Sequence, residues 1–293
     1  MAGQFGSIVR TATEDGLYLH GYFQPVAGNR RILLHLHGYE GNFYENEFVQ
    51  VLADNCQAAN VPFISVNTRG NGKDTDFNTT DGRVIRIGAH YENLSAVRLD
   101  IDAWIRFLRL QGYEDIYLAG HSLGTVKAVR YLTEGKYADN IKKLLLISPF
   151  DEKSSLGVDF PLQKLLSAAQ TQISSGHGSD TVSLEFKFPG MSYDTWLSWH
   201  AQDEFGRMFD FSTPGYDFPV LHRINIPVCV IVGSKDEYFH LSDPTHPEKA
   251  LEILKTHIPD CTTHLIPEAP HSYIGFEGQL SSKVIQFLLP PRP

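Results

Sequence analysis

The sequence predicts an α/β fold, a mostly parallel central sheet flanked by helices, with one segment inserted between two of its strands. Three observations carry this. Short apolar runs of strand length alternate with amphipathic stretches of helical period through most of the 293 residues, and repeated β/α alternation requires crossover connections and therefore parallel strands. The alternation stops at Pro149 and resumes at Pro227. No internal repeat or low-complexity tract is present in either half.

In chain order, Ser7 to Ala12 and Leu17 to Gln24 flank Glu14-Asp15-Gly16, and an Asp-Gly step suits a tight turn, so an antiparallel hairpin leads in. Arg31 to Leu36 reads as a buried strand, followed by a loop from His37 and a helix from about Tyr44 to Ala59. Val61 to Asn67 repeats the strand pattern, and a long polar, Gly-rich segment runs from Arg69 to Ala89. A helix from about Tyr91 to Gln111 places Leu94, Val97, Ile101, Trp104, Ile105 and Leu108 on one face, with Trp104 in the core. Then come the strand Ile116 to Ala119, a helix from Leu123 to about Leu132, and the strand Lys143 to Ile147. After the interruption, Pro227 to Val232 and Thr263 to Ile266 read as strands, each followed in turn by a helical stretch or preceded by one, near His246 to Thr256 and Gln279 to Leu288. The expected division is thus a core over 1–150 and 225–293 with a cap inserted at 151–224.

Composition narrows the function. The chain is 42% hydrophobic and 20% charged, with 25 Lys+Arg against 34 Asp+Glu and a formal net charge of -9. An acidic chain without a basic run is a poor partner for nucleic acid, whose binding rests on neutralising phosphates. No apolar stretch reaches the roughly 18 residues that span a bilayer, and the first residues lack the charged and apolar regions of a secretory signal. A cytoplasmic protein with neither nucleic-acid nor membrane partner is expected. Cys56, Cys229 and Cys261 form no disulfide framework and no CxxC pair, and read as small buried hydrophobes.

The chemistry concentrates at strand ends. Gly120-His121-Ser122-Leu123-Gly124 is a G-x-S-x-G between a strand and a helix, the setting in which flanking glycines let the chain reverse and the serine hydroxyl project above the sheet. The helix N-terminus behind it places the Leu123 N–H where an oxyanion would form. A serine hydroxyl is a weak nucleophile, so a histidine must accept its proton and an acid must orient that histidine. Asp236 follows the strand ending in Val232, with Glu237 and Asp243 as competing acids. His271 follows the last strand, whereas His264 lies inside a strand, His257 at a helix end, and His240 and His246 too close behind Asp236 for a separate strand end. The order Ser122, Asp236, His271 suits the architecture. His37-Gly38-Tyr39 supplies a turn after the third strand from which the Tyr39 N–H would be the second oxyanion donor. Arg69-Gly70-Asn71-Gly72-Lys73 lacks the phosphate-binding pattern and reads as a surface turn. No close His/Cys/carboxylate set suggests a metal, and the chemistry needs no cofactor.

Through His37-Gly38, Gly120 to Gly124, Asp236 and His271, in that order, the chain resembles the α/β-hydrolase superfamily over nearly its whole length. The stretch from Gly88 to Gly124, with Asp102-Ala103-Trp104 ahead of the serine, is similar to a branch that includes hydrolases of fungal siderophore esters, and serine-dependent macrolide esterases share the same plan. The resemblance implies the α/β-hydrolase fold, Ser122 as nucleophile, His271 as base, Asp236 as orienting acid, and Tyr39 and Leu123 as backbone donors. Relatives with dehalogenase or epoxide-hydrolase chemistry carry aspartate where Ser122 stands.

The inserted segment holds Phe186, Phe188, Tyr193, Trp196, Trp199, Phe205, Phe209, Phe211, Tyr216 and Phe218. Aromatics give large apolar contact at low entropic cost, so Trp196, Trp199, Tyr193 and Phe209 are candidate substrate contacts, with cap packing as the competing role. Asp194, His200, Asp203, Glu204 and Asp210 read as its solvated rim, with binding of a polar or cationic substrate part as the alternative role. The expected protein is a serine-dependent carboxylic-ester hydrolase for a small-molecule ester that is bulky and largely apolar, a macrocyclic lactone of macrolide or siderophore type being one such. Thioesterase, amidase or acyltransferase activity would use the same triad; a hydrolase fold that binds a ligand without turnover is the non-enzymatic alternative.

Overall fold

Two-sided burial of a parallel sheet organises the molecule. In the computed structural model, residues 6–149, 151, 156, 160–200, 204–239 and 247–289 are described. Strands β1 (Ser7–Ala12), β2 (Tyr18–Gln24), β3 (Arg31–Leu36), β4 (Phe63–Val66), β7 (Asp115–His121), β8 (Ile141–Ile147), β9 (Val228–Gly233) and β10 (Cys261–Ile266) form one sheet in the order β1-β2-β4-β3-β7-β8-β9-β10. The β1–β2 and β2–β4 pairings are antiparallel and every later one is parallel. A small hairpin, β5 (Asp76–Asn78) with β6 (Val84–Arg86), stands apart.

The strands that read as continuous apolar runs divide their side chains between two cores with period two. Ile32, Leu34 and Leu36 of β3, Ile116 and Leu118 of β7, Leu144 and Leu146 of β8, and Val228, Val230 and Val232 of β9 enter one cluster. Leu33, Tyr117, Ala119, Leu145, Ile147, Cys229 and Ile231 enter the other. Helices α1 (Glu47–Ala58) and, at the end of the chain, α7 (Glu277–Leu288) cover the second cluster. Helices α2 (Val97–Leu110), α3 (Leu123–Glu134) and α6 (Pro247–His257) cover the first. Trp104 is fully buried there, its indole Nε1 donating to the Asn67 carbonyl at 2.9 Å. Cys56 and Cys229 are buried and Cys261 half-buried, all three as free thiols.

Between β8 and β9 lie α4 (Leu162–Ser174) and α5 (Tyr193–Trp199). Leu165, Phe186, Trp196, Trp199, Phe209 and Phe218 from this stretch join the same apolar cluster as the sheet face. Among the described residues no helix is long and apolar enough to cross a membrane.

The polar segment 69–89 carries structure of its own. It contains the β5–β6 hairpin, whose three-residue strands are too short to show a period; the turn is made by Gly82 at φ 83° and by Thr79 N–H donating to the Arg83 carbonyl. Arg69 is not in a surface turn. It is buried and gives its guanidinium to Asp100 at 2.8–3.2 Å and to Asp15 at 3.1–3.3 Å, because a buried cation survives only when paired.

Leu118→Ala, in the fully buried centre of β7, should cost about 2–5 kcal/mol of unfolding free energy in urea titrations. Leu110→Ala, on a side chain 81% exposed, should stay within about 0.5 kcal/mol of the native value.

Candidate active site

Parallel strands end at one edge, and loops leaving that edge converge. The four segments singled out in the sequence leave β3, β7, β9 and β10 there. Ser122 occupies the bend between β7 and α3 at φ 54° and ψ -126°, a conformation that costs about 1–3 kcal/mol for a residue with a Cβ. Its neighbours make the bend possible. A Cβ on Gly120 would lie 2.1 Å from the Gly124 carbonyl oxygen, and one on Gly124 would lie 2.5 Å from that of Leu36. Ser122 itself is half-buried.

The turn after β3 lies against this bend. A Cβ on Gly38 would sit 2.8 Å from Ser122 Cβ and 3.4 Å from Oγ, so only glycine admits the approach. Among the described residues, neither the Tyr39 N–H nor the Leu123 N–H has a hydrogen-bond acceptor. Leu123 is the first residue of α3, where the N–H is unpaired by helix geometry. Two unpaired donors flanking a serine are what an oxyanion requires.

Asp236 is fully buried and holds His271, with Nδ1 donating at 2.9 Å to each carboxylate oxygen. Glu237, weighed above as a rival acid, instead accepts the His271 backbone N–H at 3.0 Å. Asp243, His240, His246 and Asp203 lie outside the described residues. The His271 turn is also tied to the serine bend: His121 Nε2 donates to the His271 carbonyl at 3.0 Å, and the two rings lie 4.9 Å apart. No hydrogen bond joins Ser122 Oγ to His271 among the described residues; such contacts commonly tighten when substrate fills the site. A second tie is Tyr273, which donates to the Ile231 carbonyl at 3.0 Å and receives the Ser148 hydroxyl at 2.9 Å.

These ties escaped the sequence reading. His121 stands inside the G-x-S-x-G as an unassigned position, and Tyr273 and Ser148 are distant in sequence. Tyr238, two residues past Asp236, was equally silent, yet its ring lies 4.4 Å from that of His271.

The four aromatic candidates are differently placed. Trp199 is buried and packs edge-on against Tyr39 at 5.0 Å, with Phe188 at 5.9 Å; its indole Nε1 has no hydrogen-bond partner among the described residues. Trp196 is buried, stacked on His200 at 4.3 Å and bonded to the Lys187 carbonyl. Phe209 is buried against Phe211, and half-buried Tyr193 packs on Phe186. Of the expected rim, Asp194 is exposed and Glu204 half-buried. His200 and Asp210 are instead interior: Asp210 is neutralised by Arg207 and bonded to Ser212 and Thr213, and His200 lies under Trp196.

Among the described residues, Asp217, His222 and His257 are grouped as metal ligands would be. His222 and His257 lie ahead of β9 and β10, at the edge opposite Ser122. Their ring nitrogens already face each other at 3.1 Å, as one hydrogen bond.

A family model described as the alpha/beta hydrolase family matches residues 33–277. No curated protein matches the chain in sequence. Similar solved structures include Est1E from Butyrivibrio proteoclasticus with ferulic acid bound, 17% identical over 95% of this chain and 97% of that one, with a TM-score of 0.64. Esterase Pf2001 from Pyrococcus furiosus is 19% identical over 97% and 91%, with a TM-score of 0.57. Carboxylesterase CesB from Bacillus subtilis is 18% identical over 97% and 91%, with a TM-score of 0.53. At these identities the likeness is one of fold.

Burial pushes His35 and His200 down to about 4 and holds His37 and His121 well below the ordinary 6.5. The unfolded chain takes up these protons near pH 6.5 and the folded chain does not until much lower. Stability should therefore be greatest above that pH and fall toward pH 4, by up to about 1.4 kcal/mol per histidine per pH unit. Urea midpoints that do not move between pH 7 and pH 5 would contradict this.

Proposed function

The chain belongs to the alpha/beta hydrolase family, and we propose that within it the protein is a serine-dependent carboxylic-ester hydrolase acting on a bulky, largely apolar ester, the macrocyclic lactones included. The observation that carries the reading is the buried Asp236 carboxylate bonded through both oxygens to His271 Nδ1, one ring away from the bend that presents Ser122. An Nδ1 proton held in this way leaves Nε2 with its lone pair.

In the first half-reaction Ser122 Oγ attacks the ester carbonyl carbon while His271 Nε2 takes its proton. The Tyr39 and Leu123 N–H groups bind the oxyanion as charge develops, without reorganising. Collapse breaks the bond to the alcohol, which leaves with the proton returned by His271. Water then repeats the cycle on the acyl-serine and releases the acid. Asp236 keeps the imidazole in one tautomer and opposes its transient positive charge. The two unpaired N–H groups support this assignment of donors.

Half-buried Tyr39 and Phe188, with the buried Trp199 packed against both, form an aromatic wall beside the proposed oxyanion donors, which favours an apolar acyl or alcohol group over a small polar one. Trp196 reaches that wall through His200, on which it stacks and which lies 6.4 Å from Phe188, whereas Phe209 packs against Phe211. Est1E holds ferulic acid, and hydroxycinnamoyl esters accordingly belong in the substrate panel with p-nitrophenyl acyl esters, acyl thioesters, anilides and macrolactones.

Ser122→Ala should lower kcat/KM for activated esters by at least about 10⁴-fold, since loss of the nucleophile removes the acyl-enzyme route; native-like turnover in this variant contradicts the assignment. Trp199→Ala should raise KM for bulky esters about tenfold or more while p-nitrophenyl acetate is little affected, the loss of one large aromatic contact being worth about 1–3 kcal/mol. Equal effects on both substrates would remove Trp199 from the substrate wall.

A further inference from the structure

Close to the His37-Gly38-Tyr39 turn lies a buried ion pair that the proposed reaction does not use. Lys127 on α3 and Glu92 ahead of α2 are both buried, with Nζ 2.9 Å from Oε2. The contact is poorly aligned: neither Glu92 oxygen makes a hydrogen bond among the described residues. Burial pushes the Glu92 carboxyl upward, and the Lys127 ammonium opposes it. Such pairs are costly to desolvate and are often no more stabilising than apolar residues of equal volume. Stability is therefore a poor account of this one, and its neighbours offer a better account.

Lys127 Nζ donates to Thr68 Oγ1 at 3.1 Å. An ammonium has no lone pair, so the Thr68 hydroxyl must accept from it, and its own proton is left to point elsewhere. Thr68 Oγ1 lies 3.2 Å from His37 Nε2, and the Thr68 backbone N–H donates to the same nitrogen at 3.1 Å. A nitrogen receiving two donors carries the lone pair, which puts the His37 proton on Nδ1. Nδ1 then donates to the Gly38 carbonyl at 2.8 Å. Burial and, after it, the Lys127 charge keep this imidazole neutral. The Gly38 carbonyl and the Tyr39 N–H belong to one planar trans peptide and point in opposite directions, so holding the first aims the second.

We propose that Lys127, Thr68 and His37 are positioning residues, a hydrogen-bonded relay anchored by the Lys127–Glu92 ion pair, which fixes the plane of the Gly38–Tyr39 peptide and so directs the Tyr39 N–H at the oxyanion. This rests on the reading of Ser122 as nucleophile. The ion pair keeps the Lys127 ammonium charged inside the protein, and its bond to Thr68 Oγ1 orients a hydroxyl that would otherwise rotate. Nothing in the relay touches the substrate; its effect is on the transition state through one N–H.

Thr68→Val removes the hydroxyl and keeps the backbone donor, with little change in volume. It should lower kcat about tenfold or more, a fraction of what losing an oxyanion donor costs, with KM little changed and the melting temperature close to native. Thr68→Ser, which restores the hydroxyl, should recover most of the lost kcat. Lys127→Met combined with Glu92→Leu removes both charges at once and strands neither; it should lower kcat in the same way. Imidazole ¹⁵N NMR of the full chain gives a readout independent of turnover: His37 should show the Nδ1–H tautomer throughout about pH 5 to 8. If Ser122→Ala is inactive while Thr68→Val keeps native kcat, or if His37 carries its proton on Nε2, the relay is overturned and the nucleophile stands. If Ser122→Ala retains turnover, the nucleophile assignment fails, the catalytic role of the relay fails with it, and the NMR tautomer alone decides whether the hydrogen-bond chain exists.

Discussion

The candidate site depends on the unfavourable bend at one serine. At Ser122 the backbone reverses at positive φ between β7 and α3, and it does so where main chain meets main chain, with Gly120 over Gly124 and Gly124 over the end of β3. The local cost of about 1–3 kcal/mol is small beside the apolar burial of a sheet covered on both faces. That sheet holds the bend in place. The same geometry leaves the Leu123 N–H, at a helix N-terminus, without an acceptor among the described residues, so the strain and the electrostatic capacity of the site have one origin.

Once the bend is set, the remaining parts have to be brought to it, and the structure does this with buried polar contacts. His121 ties the bend to the His271 carbonyl, Tyr273 ties the His271 turn to β9, and Glu237 holds its backbone N–H. On the opposite flank, Thr68 and His37 hold the Gly38 carbonyl. The His121, Tyr273, Glu237 and His37 contacts act on backbone, and none of them engages the Ser122 or His271 side chain. Placing functional groups on loops that a rigid sheet positions is the usual division of labour in such folds.

The central strands were readable from sequence because burial on both faces leaves a continuous apolar run, as in Arg31–Leu36 and Val228–Gly233. The elbow was readable because Gly-x-Ser-x-Gly states its own steric requirement. Asp236 and His271 were readable from their places after strand ends, and the structure joins them by hydrogen bonds. What was hidden depends on contacts between residues far apart in the chain. Arg69 looked like part of a polar turn because nothing local reveals Asp100 as its partner. His37 looked like half of a turn motif, although its tautomer is set by Thr68, thirty-one residues away. Asp210 and His200 looked like a solvated rim because charge and polarity in the sequence do not report burial. The β5–β6 hairpin was hidden by brevity, its strands having three residues each.

Covalent labelling examines the proposed nucleophile itself rather than a rate. The full chain is treated with a fluorophosphonate and its intact mass and modified peptide are determined, alongside His271→Ala and Ser122→Ala variants. With Ser122 as the proposed nucleophile, one adduct is expected, on that serine, formed slowly or not at all without His271 and absent without the serine. A folded chain that stays unlabelled, or one labelled equally well without Ser122, would contradict it.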